Sequence, residues 1–274
     1  MNNPSASQHG VDMQIWSADD GLTWENATEV AYGIENVGAL VGPSAGLQSA
    51  SGSIYFSAYQ NQHSDKVEHF LYWSDDYGST WKSSPIVYDL GECSMDFETS
   101  AAVGTILMNC RNSQMRRAQL TWSSDGVPSN VSYPDGLIDP GCQGSIVNLN
   151  ETLYLSNLNS TTDRTHITVK SSFDRGTSWT GGTLVWAGPA AYFRRAESSS
   201  DESRRRRGRD SDSPWRDESR PRRGCDVDIP WRQVARLRYS QLVALSGGLG
   251  LLYEGGVDDC YEAIWFTRVA TGRR

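Results

Sequence analysis

The sequence predicts an all-β chain built from repeated sheets, and three observations carry that expectation. One eight-residue pattern, Ser-x-Asp-x-Gly-x-Thr/Ser-Trp, occurs from Ser17 to Trp24, from Ser74 to Trp81 and from Ser172 to Trp179, with a degenerate copy at Ser123-Ser124-Asp125-Gly126 after Trp122. The copies begin 57, 49 and 49 residues apart, a period that belongs to propeller-like arrays of strands and turns. Between them lie short Tyr-, Trp-, Ile- and Val-rich segments bounded by turn residues, with no amphipathic helical pattern of useful length.

The strands are expected, in chain order, in SIYFSAYQ, HFLYWS, GTILMNCR, AQLTWS, SIVNLNETLYLSN, HITVKSS, GLGLLYE and EAIWFTRV. The repeated pattern marks the hairpin turns. Its Asp can accept backbone N–H bonds two residues on, its Gly permits positive φ, and its Ser and Thr hydroxyls can close the turn. The Trp packs beneath the hairpin, where its N–H needs a partner. The pattern is therefore structural and does not mark a site of chemistry.

Composition narrows the partners. A net charge of −8 and a pI near 5 argue against nucleic acid. No run of eighteen apolar residues offers a membrane span. Four Asn-x-Ser/Thr sequons, at Asn26, Asn130, Asn150 and Asn159, fit a secretory route, although the opening MNNPSASQHG lacks the apolar stretch of a leader. The cysteines Cys93, Cys110, Cys142, Cys225 and Cys260 have no zinc-site spacing and no CxxC. They are expected to be mostly buried apolar groups, with no pairing assigned.

One segment departs from the rest. Residues 193–238 hold fourteen Arg and nine acidic residues with few apolar ones. Such a stretch cannot bury enough surface to order itself and is expected to be a disordered insertion. The domain expectation is thus propeller blades over 1–192, the insertion over 193–238 and the final propeller strands over 239–274.

Read across the insertion, the text carries Gly188-Pro189-Ala190-Ala191, then Tyr239-Ser240-Gln241-Leu242 and Leu252-Tyr253-Glu254. With Gly42-Pro43-Ser44-Ala45-Gly46-Leu47-Gln48, the Asn109 to Asn112 run and Arg164, these segments and the Asp-box repeats resemble the exo-α-sialidases, or neuraminidases, of the lysosomal type. The resemblance implies a six-bladed β-propeller that hydrolyses terminal sialic acids from glycoconjugates with retention, needing no metal or cofactor. It also implies a lysosomal or secreted location.

The implied mechanism has a physical basis. The substrate carries a carboxylate on its reacting carbon, which repels a carboxylate nucleophile, and sialidases use tyrosine instead. A phenol with a pKa near ~10 needs a base to take its proton. The resemblance assigns the nucleophile to Tyr239, with Tyr192 as the alternative, and the base to Glu98. It assigns the binding of the substrate carboxylate to Arg111 and Arg164, because guanidinium donates paired bonds that Lys cannot. Glu254 matches the carboxylate that holds a further arginine of the family.

That first arginine and the acid/base aspartate belong to a strand before the first Asp box, and this sequence has no match for either. Six blades of about 50 residues need roughly 300 residues, against about 230 here without the insertion. The first blade is therefore expected to be incomplete. The alternative function is a non-catalytic propeller that binds glycans or proteins. Linkage preference and oligomeric state stay open.

Overall fold

The computed structural model describes residues 12–30, 39–60, 66–99, 104–190, 241–245, 248–255 and 263–269. All of them belong to one compact unit. The insertion, Tyr192 and Tyr239 lie outside the described residues.

The described residues form antiparallel sheets with no helix. Strands β1 (Met13–Gln14) and β2 (Thr28–Glu29) make the first. The second contains β3 (Leu40–Val41), β4 (Leu47–Gln48), β5 (Ile54–Gln60), β6 (Glu68–Ser74), β7 (Lys82–Ser83) and β8 (Val87–Tyr88). The third runs in the order β11 (Ala118–Trp122), β10 (Ile106–Cys110), β9 (Cys93–Phe97). The fourth is β12 (Ser145–Leu149), β13 (Thr152–Leu158), β14 (Thr165–Ser172) and β15 (Thr183–Pro189). The last is β16 (Gln241–Leu245), β17 (Gly248–Gly255) and β18 (Ala263–Val269).

Every expected strand is present, and one segment holds two. SIVNLNETLYLSN breaks at Asn150 and Glu151, whose φ values of 52° and 62° make the turn between β12 and β13. Two consecutive left-handed residues are what a tight hairpin with the native strand twist requires.

Successive sheets stack through apolar cores. Tyr55, Leu71 and Trp73 of the second sheet meet Met95, Ile106, Met108 and Leu120 of the third. Leu107 of the third shares a core with Ile146, Leu153 and Leu155 of the fourth. Ile167 and Val169 of the fourth meet Leu242, Leu251 and Tyr253 of the last. Strand β10 is buried along its whole length. Its even and odd positions serve different cores, which is why ILMNC reads as a continuous run rather than an alternation.

First strands of neighbouring sheets lie side by side. Pro43 bridges Cys93 in parallel. Ser94 Oγ accepts from Ile146 N at 3.0 Å, and Asp96 Oδ2 accepts from Asn148 N at 2.6 Å. Ser145 Oγ accepts from Leu242 N at 3.1 Å. Side chains of one first strand thus satisfy backbone donors that the next sheet leaves on its open edge. This sheet-by-sheet stacking is propeller-like.

The Asp boxes close differently in detail from the sequence expectation. The Asp carboxylate reaches the Thr/Ser four residues on, not two. Asp76 Oδ1 accepts from Thr80 N at 2.8 Å and Oδ2 from Thr80 Oγ1 at 2.6 Å. Asp19 and Asp174 repeat the arrangement on Thr23 and Ser178. The Gly N–H donates to the leading Ser hydroxyl, at 2.7 Å in Gly78. The residue before each Gly is also left-handed, with φ of 56° at Asp20, 55° at Tyr77 and 56° at Arg175.

The boxes after the first also grip the preceding sheet. A Cβ on Gly78 would collide with Trp16, and one on Gly126 with Trp73. Gln14 Oε1 accepts from Trp81 Nε1 at 3.0 Å while its Nε2 donates to Gly78 O at 3.3 Å. Gln119 repeats this on Trp179 and Gly176, at 3.2 and 2.9 Å. For Trp81 and Trp179 the partner expected for the Trp N–H is therefore a glutamine of the sheet before, whereas Trp24 donates to Gly21 O of its own box at 3.1 Å.

The cysteine expectation is corrected. Cys93 and Cys110 form a disulfide across the β9–β10 pair, because antiparallel register sets them directly opposite one another. Cys142 is free and buried, as expected of an apolar thiol, and Cys225 and Cys260 lie outside the described residues.

Candidate functional site

Strands β9 and β10 position the first two groups. The register pairs Cys93 with Cys110, and the pairing continues one step, with Arg111 N donating to Glu92 O at 3.0 Å. The side chains follow the backbone: Arg111 Nη1 lies 2.9 Å from Glu92 Oε2. Glu92 keeps 9% of its side chain exposed and Arg111 38%, so the guanidinium faces solvent while the carboxylate sits beneath it.

Tyr59, at the end of β5, joins this pair. Burial raises its phenol pKa first, Glu92 raises it further, and Arg111 opposes them. Burial works against the charge on Arg111, but its bond to Glu92 and the Glu92 charge outweigh it and raise its pKa overall.

Arg164 enters from the fourth sheet, just before β14. Its carbonyl accepts from Ala190 N at 2.9 Å, and Ala190 bridges Gly255, the neighbour of Glu254 on β17. Glu254 is buried. Burial drives the Cys142 thiol pKa up to about 12, and the charges that act on it include Arg164, Asp139, Glu92 and Arg111. The charges of both sequence-predicted arginines therefore act on one buried thiol, together with those of Asp139 and Glu92.

Behind the sulfur lies a buried polar frame. Arg117 Nη1 donates to Cys142 O and reaches Asp139 Oδ2 at 3.5 Å, and Arg117 Nε donates to Asn109 Oδ1 at 2.7 Å. Asp139 Oδ1 accepts from Gly141 N and Cys142 N at 2.8 and 2.7 Å. The guanidinium and carboxylate compensate each other's burial and fix the 139–142 turn.

Glu98 is not in this group. It follows the far end of β9, where its N–H donates to Thr105 O at 2.9 Å. Glu98 is six residue steps from Glu92 across the five-residue strand β9, about 20 Å along it. It lines a cleft with Gln119, Tyr133, Arg175 and Gly176, beside the third Asp box. Burial raises its pKa, and Arg175 works against that rise. The structure thus sets Arg111 beside Glu92, lets the charges of Arg111 and Arg164 both reach Cys142, and leaves Glu98 at the opposite end of the strand pair. The sequence reading missed Glu92 and Tyr59. For Glu92 the signal was available in the register, since the residue opposite Arg111 in a hairpin turning between 98 and 105 is Glu92.

A family model described as a BNR repeat-like domain matches residues 2–249. The chain belongs to the BNR repeat-like domain family. Sialidases are among the proteins this chain is similar to. Human Sialidase-4 is 32% identical over 158 residues, which cover 48% of this chain and 32% of the relative. Among solved structures, the Hadza microbial sialidase Hz136 superposes with a TM-score of 0.65 at 21% identity, over 93% of this chain and 43% of that one. A Trypanosoma rangeli sialidase in complex with 2,3-difluorosialic acid, a covalent intermediate, gives 0.55 at 13% identity, over 94% of this chain and 38% of that one. The matched lengths are thus about a third of the curated relative and under half of the solved chains. Among the described residues no helix is long and apolar enough to cross a membrane.

Proposed function

We propose that this chain carries the core of an exo-α-sialidase site on a six-bladed propeller, acting on terminal sialic acids of glycoconjugates. The observation that supports it is the Arg111–Glu92 ion pair at the end of the β9–β10 pair, 2.9 Å long, with the charge of Arg164 acting on the same buried Cys142 thiol as theirs.

In this reading, Arg111 and Arg164 present permanently charged, planar donors to the sugar carboxylate. Tyr239, or Tyr192 in its place, attacks the anomeric carbon, and the configuration is retained through a glycosyl–tyrosine intermediate. Glu92 takes over the role the sequence reading gave to Glu98: it accepts the phenol proton and leaves a phenolate beside the arginines. When the substrate carboxylate binds Arg111, it competes with Glu92 for the guanidinium and frees the carboxylate oxygen to act as a base. The phenol of Tyr59 borders the bound sugar.

The test is covalent trapping. Incubation with 2,3-difluorosialic acid, followed by intact mass and peptide mapping, is expected to add one sugar at Tyr239 or Tyr192. Binding to sialylated glycans without any adduct or turnover would support the non-catalytic propeller instead.

A further inference from the structure

Directly behind the Glu92–Arg111 pair lies a second cluster that the sialidase reading does not use. His69, Cys93 and Cys110 are all fully buried, with one donor atom from each within 4.8 Å of the others. We propose that, once its disulfide is reduced, this trio is a binding site for a thiophilic divalent cation such as Zn²⁺. The inference does not depend on the function proposed above.

Geometry carries it. With Zn–S of about 2.3 Å and Zn–N of about 2.0–2.1 Å, tetrahedral ligands stand about 3.6 Å apart from S to N and about 3.8 Å from S to S. Cys93 Sγ lies 3.5 Å from His69 Nδ1, so one edge of the tetrahedron is already in place. The other edge needs only the two sulfurs, held opposite one another on a strand pair, to part after reduction. A fourth position is left for the Gly91 carbonyl oxygen, 3.2 Å from Cys93 Sγ, or for water.

Electrostatics agree. His69 is fully buried, and the neutral imidazole is the form that ligates metals. Two thiolates and one divalent cation sum to zero charge, which avoids the large cost of an uncompensated buried ion. The three ligands come from different elements: His69 from β6, Cys93 from β9 and Cys110 from β10. That is why no CxxC-like spacing announces them.

The chemistry balances with a named reductant. A water-soluble phosphine donates two electrons to the disulfide and becomes a phosphine oxide with oxygen from water, whose two protons complete the thiols. Cation binding then releases two protons as the thiols become thiolates, and the His69 proton moves from Nδ1, where it bonds the Gly91 carbonyl, to Nε2.

The experiment uses the full chain carrying Cys225→Ser and Cys260→Ser, treated with phosphine, freed of reductant and titrated with Co²⁺ alone. The expected result is one equivalent bound, with sulfur-to-cobalt charge-transfer absorption and tetrahedral visible bands, displaced by Zn²⁺. His69→Ala and Cys110→Ser should each weaken binding at least tenfold, and unreduced protein should give no such bands. Should a variant fail to fold, alkylation mapping of the reduced parent decides: Zn²⁺ should shield Cys93 and Cys110 from iodoacetamide. A reduced, folded parent that gives no charge-transfer band or no such shielding overturns the proposal. So does binding unchanged by either substitution, or a disulfide the phosphine opens only in unfolded protein.

Discussion

Glu92 and Arg111 face each other one step beyond the Cys93–Cys110 disulfide, joined by a 2.9 Å ion pair and by a backbone bond between the same two residues. The strand pair thus fixes the base and the carboxylate-binding cation of the proposed site as one unit. Arg164 arrives independently, from a different sheet.

Different origins predict different sensitivities for the arginines. Arg111→Lys removes paired donation and leaves Glu92 with a point charge. Arg164→Lys removes paired donation alone. Both should raise KM for a fluorogenic sialoside by roughly 10–100-fold, the scale of losing a charged hydrogen bond of about 1.5–3 kcal/mol. Arg111→Lys should lower kcat as well, because it also disturbs Glu92. Steady-state kinetics with circular dichroism as a folding control check this.

The glutamine grip between sheets should be a stability determinant with no role in chemistry. Gln119 is buried, and its amide serves Trp179 and Gly176 at once. Gln119→Leu strands those groups and should cost about 1–3 kcal/mol. Gln14→Leu, at a more exposed position, should cost less. Urea unfolding measures both, and equal, negligible losses would contradict the inter-sheet role.

Acid should loosen the boxes. Asp76 and Asp174 have pKa values lowered to about 2, first by the side-chain bonds from Thr80 and Ser178. A carboxylate with a folded pKa below its unfolded value contributes stability above the unfolded pKa, near 3.8, and loses it as pH falls through the folded one. Stability should therefore decline between pH 4 and pH 2, and Asp76→Asn with Asp174→Asn should flatten that decline. Thermal unfolding across the range tests it.

Much of the fold was legible because its signals are local. The Asp boxes announce their turns within eight residues, and strands such as Ile54–Gln60 and Glu68–Ser74 carry their own β-branched and aromatic text. What joins sheets was not legible. Gln119 lies 57 residues from Gly176 and 60 from Trp179, and nothing around it distinguishes it from a surface glutamine. The site was half legible for the same reason. Arg111 and Arg164 stand in recognisable text, but choosing Glu92 over Glu98 is a question of register. Glu98 N pairs with Thr105 O, and Glu92 O with Arg111 N. Only knowledge of where that hairpin turns separates the residue beside Arg111 from one at the opposite end of the strand pair.

That choice gives the most direct measurement. Turnover of a fluorogenic sialoside should be compared in the parent chain, Glu92→Gln and Glu98→Gln at matched folded concentration. Loss of the base should reduce kcat by roughly 10²–10⁴-fold in Glu92→Gln, with Glu98→Gln within about twofold of the parent. The reverse pattern, a silent Glu92→Gln with an inactive Glu98→Gln, would contradict the site described here.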